Sequence, residues 1–96
     1  MTAYLLARVE ITDWDRYKEY VKATPAAVKK YGGKFIVRGG TVETLEGAEE
    51  KRRLVLIEFP SFEKAKEFYS SEEYQQAKKL RAGAASGQFL AIEGVD

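Results

Sequence analysis

The chain has 96 residues, 45% of them hydrophobic and 12% aromatic, with Lys+Arg 16 against Asp+Glu 15. One compact domain over residues 1–96 is expected, and a net charge of +1 gives no sign of a polyanionic partner. With Cys 0, His 0 and no asparagine, disulfides, Cys/His metal centres, cysteine nucleophiles and imidazole chemistry are excluded, and neither a metal nor a cofactor is expected.

Residues Tyr4 to Ile11 alternate Leu5, Ala7, Val9 and Ile11 against Tyr4, Leu6, Arg8 and Glu10, the period of a strand. Met1 to Arg8 is too short and too soon charged for a signal peptide, and no run of about 18 apolar residues could span a membrane. A cytoplasmic, soluble protein is expected. Thr12 or Asp13 then offers an oxygen to the first free helical N–H groups. Trp14, Tyr17, Val21, Thr24, Val28 and Tyr31 follow at helical spacing. Pro25 interrupts that stripe and predicts a kink or two abutting helices. Gly32-Gly33 ends the helix.

Lys34 to Leu45 reads as a strand broken at Gly39-Gly40, with Phe35 and Val37 opposed to Ile36 and Arg38. Arg53 to Phe59 is the most apolar strand. Pro60-Ser61 stops it and caps a helix from Phe62 to about Tyr69. Ser70 with Glu73 suggests a capping box for a helix from about Glu72 to Ala82. Gln88 to Val95 closes the chain as a fourth strand. No linker or internal repeat is present. The order strand, helix, strand, strand, helix, strand predicts an α+β ferredoxin-like βαββαβ fold, a four-stranded antiparallel sheet with helices on one face.

Sorting strand residues by face is the informative step. Leu5, Ala7, Val9, Ile11, Phe35, Val37, Val55, Ile57, Phe59, Phe89 and Ala91 carry no charge and belong under the helices. The other set holds Leu6, Ile36, Leu54, Leu56, Leu90 and Ile92 together with Arg8, Glu10, Arg38 and Glu58. Burying six large aliphatic side chains puts roughly 9–18 kcal/mol at stake as an upper bound, comparable to the whole stability of a domain. Such a patch marks an interface, so a homodimer through this face, a dimeric α/β barrel, is expected.

Two candidate sites follow. On the open face, Arg38 would hold an anionic group and Glu58 would act as a proton acceptor; an ion-pair network of Arg8, Glu10, Arg38 and Glu58 is the structural alternative. Between helices and sheet, a cleft lined from the rings Trp14, Tyr17, Tyr20, Tyr31, Phe68, Tyr69 and Tyr74 would suit a flat organic ligand. Trp14, Arg38, Tyr74 and Arg81 are its expected binding residues, while Tyr17 and Tyr31 read as core. The paired glycines match no phosphate-binding spacing. Nucleic-acid binding is not expected, because Leu54, Leu56, Leu90 and Ile92 stand where stacking rings would be needed.

The stretch Tyr31-Gly32-Gly33-Lys34-Phe35-Ile36-Val37-Arg38-Gly39-Gly40, with Leu45-Glu46-Gly47, Glu58-Phe59-Pro60 and Tyr69-Ser70-Ser71-Glu72-Glu73-Tyr74-Gln75, resembles a bacterial family of short proteins, family 1330 of the domains of unknown function. Ser70 and Glu72 stand where relatives often have Asn and Pro. The resemblance implies the dimeric α/β-barrel superfamily, and no activity. Haem-binding and haem-degrading members of that superfamily rely on His or on an Asn/Trp/His set, neither of which can be carried over here. The expected function is therefore a homodimer binding a small aromatic or acidic metabolite. The alternatives are a cofactor-independent monooxygenase- or isomerase-like enzyme, for which Trp14, Tyr74 and Arg38 would serve a quinol substrate, and a non-catalytic structural or stress-associated dimer.

Overall fold

A computed structural model describes residues 1–95. Strand β1 spans Ala3–Ile11, helix α1 Trp14–Lys30, β2 Lys34–Arg38, β3 Arg53–Phe59, α2 Phe62–Ser70, α3 Glu72–Lys79 and β4 Ala85–Glu93. The four strands form one sheet in the order β2-β3-β1-β4, every neighbouring pair antiparallel. The helices all pack on one face, burying Leu5, Ala7, Val9, Ile57 and Phe59 beneath Tyr17, Tyr20, Ala27, Val28, Ala65, Phe68 and Tyr74. This is the ferredoxin-like α+β arrangement.

Helix α1 is continuous through Pro25, so the two abutting helices that the proline also allowed are not formed. A proline inside a helix deprives the carbonyl four residues earlier of its N–H donor. Here that carbonyl is Val21 O, and Arg38 Nη2 donates to it at 2.6 Å, with the Thr24 hydroxyl donating at 3.3 Å. A side chain from β2 thus supplies the donor that the proline lacks. Asp13 caps the start, accepting from the Arg16 N–H. At the far end Gly33 N–H donates to Val28 O and Gly32 N–H to Lys29 O, the paired bonds of a glycine-terminated helix with Gly32 at φ +75°.

Strand β2 departs most from expectation. It ends at Arg38, so residues 39–45 are not strand, because Gly39 turns the chain at φ +72°. Within it Phe35 pairs with Ile57 and Val37 with Leu56, which leaves Ile36 as an extra residue, a bulge. A one-residue slip exchanges the two faces of everything beyond it. Val37, expected in the core, therefore lies opposite Leu56 on the uncovered face. Arg38, expected on the uncovered face, lies opposite Val55 and turns toward α1.

Smaller corrections have local causes. The cap of α3 is Ser71 rather than Ser70: its extended backbone lets Oγ accept from the Tyr74 N–H, while Ser70 still belongs to α2 and bonds back to Lys66 O. Helix α3 stops at Lys79 instead of Ala82, since Leu80, Arg81 and Ala82 donate three residues back in a tightening turn. Strand β4 begins at Ala85, so Gly87 pairs with Val9 inside it.

Candidate functional site

A cavity lies between α1 and the sheet, bounded by Leu5, Ala7, Val9, Val55, Ile57 and Phe35 below, Tyr17, Tyr20, Val21 and Thr24 above, Phe68, Tyr74 and Phe89 behind, and Arg38 and Arg53. The cavity has a volume of about 30 Å³ and opens to solvent. That room accommodates about two waters. A ligand would therefore place one small group inside and the rest of its body in the mouth.

The two arginines come from neighbouring strands. Arg53 opens β3 in phase with Val55, Ile57 and Phe59, paired with the buried Val9, so it must point to the helix side. Its guanidinium lies 5.8 Å from the Trp14 ring centre and 5.9 Å from that of Tyr17. Gly39 makes that position possible: a β-carbon there would come within 2.2 Å of Arg53 Nη1. Arg38 stacks 4.2 Å from the Phe35 ring centre and uses Nη2 on Val21 O and the Thr24 hydroxyl. Its other N–H groups have no protein acceptor among the described residues. Burial, and then the nearby Arg53 charge, lower its pKa from the usual arginine value. No carboxylate lines the cavity, and neither guanidinium takes part in an ion pair among the described residues.

Behind the arginines stands a phenol cluster. Tyr20 and Tyr74 share one hydrogen bond between their hydroxyls at 2.8 Å, and Arg81 Nη2 donates to the Tyr74 hydroxyl at 3.2 Å. Arg81 is only 7% exposed, and its Nε, like that of Arg53, has no hydrogen-bond partner among the described residues. Burial pushes the Tyr17 hydroxyl above its ordinary pKa, with Arg53 and Arg81 pulling the other way. Burial, and then the adjoining Tyr74, drive Tyr20 much further up. Tyr17 and Tyr20 are therefore neutral donors at physiological pH, not bases.

The residues expected from the sequence are thus distributed unevenly. Arg38 and Tyr74 border the cavity. Arg81 sits one layer behind, braced against Tyr74 and over the Tyr20 and Phe89 rings. Trp14 is 50% exposed and edges onto Tyr17, covering Arg53 from outside rather than lining the cavity. Glu58 lies between Tyr4 and Lys34 in the sheet register, on the opposite face from Arg38. The proposed Arg38–Glu58 cleft is therefore corrected: the Ile36 bulge puts the sheet between them. Arg8 pairs instead with Glu50 at 3.4 Å and with Gln88. Sequence reasoning missed Arg53, although strand alternation read two residues back from Val55 places it toward the helices.

The uncovered face carries Leu6, Leu54, Leu56, Val37, Leu90 and Ile92. Leu90 and Ile92 are 37% and 42% exposed. Among the described residues no helix is long and apolar enough to cross a membrane, and no cluster of Asp and Glu could hold a metal ion.

Comparisons with known proteins agree with this architecture. A search of curated proteins gives no match. Among solved structures, the RPA0582 protein of Rhodopseudomonas palustris is similar with a TM-score of 0.76 at 19% identity, over 99% of this chain and 83% of that one. A protein from Jannaschia sp. CCS1, described as dimeric and ferredoxin-like, matches with TM-score 0.76 at 14% identity, over 98% of this chain and 100% of its own. SnoaB of Streptomyces nogalater, a cofactor-independent oxygenase, has TM-score 0.68 at 7% identity, covering 99% of this chain and 94% of that chain. These identities carry the fold alone. The family model described as a domain of unknown function (DUF1330) matches residues 2–95, and with nearly the whole chain inside that match, the protein belongs to this family.

Proposed function

We propose that the protein is a homodimer, joined through the uncovered sheet faces, that binds a small organic molecule in the cleft between α1 and the sheet. The observation that carries the binding reading is the cavity itself: an apolar, ring-lined space with two arginines at its wall and no protein carboxylate to neutralise them. Arg38 is exposed and Arg53 half-buried, so both cations can meet an acidic or polar ligand arriving from solvent while the rings beside them hold its body. Isothermal titration with benzoate, as the simplest ring-bearing acid, tests it: uptake that Arg53→Gln weakens supports the cleft, and no heat at millimolar concentration rejects it.

The dimer rests on the aliphatic patch of Leu6, Leu54, Leu56, Val37, Leu90 and Ile92, which no helix covers, and on the dimeric description given to the Jannaschia relative. Sedimentation equilibrium at micromolar concentration yielding the monomer mass would overturn it. The expected cytoplasmic location belongs to the same proposal and is checked by cell fractionation.

A non-catalytic reading has one specific observation in its favour: Arg38 supplies the donor missing at Pro25, a structural task complete without any ligand. An enzyme like the oxygenases or isomerases of this fold finds no carboxylate or imidazole base in the cavity wall, where Tyr17 and Tyr20 are held neutral. Turnover would have to come from a substrate already disposed to react. Binding is the function the geometry supports best.

A further inference from the structure

Resting on the cleft-binding reading, we infer that the cavity takes its ligand as an anion: a flat weak organic acid whose ionised form is preferred, so that binding lowers the acid's pKa. The polar groups around the cavity are nearly all donors. Arg38 and Arg53 are permanent cations with free N–H groups, and Arg53 Nε is buried without a partner. Tyr20 and Tyr74 share a single hydrogen bond, so of their two hydroxyl hydrogens one has no protein acceptor among the described residues. Several acceptors nearby are already engaged: Val21 O and the Thr24 hydroxyl receive Arg38, and the Tyr74 hydroxyl receives Arg81, which leaves chiefly the phenol oxygen of Tyr17. No carboxylate or imidazole lines the space.

A ligand that satisfies several donors and neutralises two cations must carry an anionic oxygen. The Phe35 and Tyr17 rings beside the guanidiniums suit a flat apolar body. The enclosed room of about 30 Å³ admits the small acidic head, and the mouth holds the remainder. A neutral acid bound here would bring its own O–H donor to a wall in which cationic donors face no carboxylate. On binding, the acid's O–H bond breaks and the proton leaves to water, since no side chain in the wall can take it up; the electron pair stays on the ligand oxygen facing the arginines.

The test uses para-nitrophenol, whose anion is yellow, titrated spectrophotometrically with and without excess full-length protein. The apparent pKa of the bound phenol should fall by at least about one unit, a tenfold preference for the anion. Arg53→Gln and Arg38→Gln should each return most of that shift. The glutamine at position 38 keeps a donor for Val21 O, and circular dichroism checks that both variants remain folded. Para-nitrophenol bound with an unchanged or raised pKa overturns the anion preference while leaving the cleft reading in place, and a fall that neither variant reduces overturns its assignment to Arg38 and Arg53. If neither para-nitrophenol nor benzoate binds at millimolar concentration, the cleft reading fails and this inference with it.

Discussion

On the helix-covered face of the sheet Arg38 is exposed, Arg53 half-buried and Arg81 buried, and none has an acidic partner among the described residues; on the uncovered face Arg8 is matched by Glu50 and Gln88 while large aliphatic side chains stand in the open. The same four strands build both faces. A protein whose only task was to fold would pair the cations it takes from water, Arg53 in part and Arg81 almost wholly, and hide its aliphatics, because unpaired desolvated charge and exposed apolar patches both raise the free energy of the isolated chain. Each face departs from that rule in a different way. The covered face lacks an anion, and the uncovered one lacks a roof. The first departure suits a small ligand and the second a large partner.

Removing Phe68 is the most severe way to break the covered face. Its ring packs 4.9 Å from that of Tyr74 and 5.1 Å from that of Phe59, centre to centre, and the residue is 1% exposed. Phe68→Ala should destabilise the protein by about 3–5 kcal/mol, most of what a domain of this size has, as read from urea unfolding. Leu56→Glu probes the other face. It should leave the monomer fold intact by circular dichroism and shift sedimentation from dimer to monomer. A variant that stays dimeric would mean the subunits meet elsewhere.

Gly39→Ala sharpens the comparison at the cavity wall. The residue sits at φ +72°, and the added methyl would collide with the Arg53 guanidinium, so Arg53 must swing away. A loss of about 1–2 kcal/mol in stability is expected from the backbone alone. Weakened benzoate binding in calorimetry should accompany it, although no charge has been removed.

The smallest effect concerns pH. Tyr17 and Tyr20 have pKa values raised in the folded protein, so the stability they hold is complete below about pH 10. It is lost as pH rises above that, because only the unfolded chain can then ionise them. Tyr20→Phe forfeits a hydrogen bond with Tyr74, about 1 kcal/mol at neutral pH. It should also flatten the decline in melting temperature above pH 10. An equally steep alkaline decline in the variant would show that Tyr20 is not one of the groups responsible.

Much of the fold is legible along the chain because its signals are local. The β3 limits Arg53–Phe59 follow from alternation bounded by Pro60, and Gly32-Gly33 marks the end of α1 through a conformation that suits glycine. The caps show how narrow such signals are: Ser70 and Ser71 are chemically equivalent, and only the backbone turn between α2 and α3 selects Ser71. The candidate site was less legible. Tyr74 and Arg38 were named from residue type, but Arg38 was assigned to the wrong face, and with Glu58 as a neighbour.

What the amino-acid sequence determined by itself was the order of the elements, the two-sided apolarity of the sheet and the absence of imidazole and thiol chemistry, since periodicity and composition need no partner strand to be read. What only the tertiary structure decided was which face Arg38 and Val37 occupy. A strand's faces are set by pairing, and the extra residue at Ile36 exists only relative to β3. That shift carries Arg38 to the carbonyl Pro25 leaves free, keeps α1 whole and sets a second cation beside Arg53, three consequences of a register that no local pattern in residues 34–38 encodes.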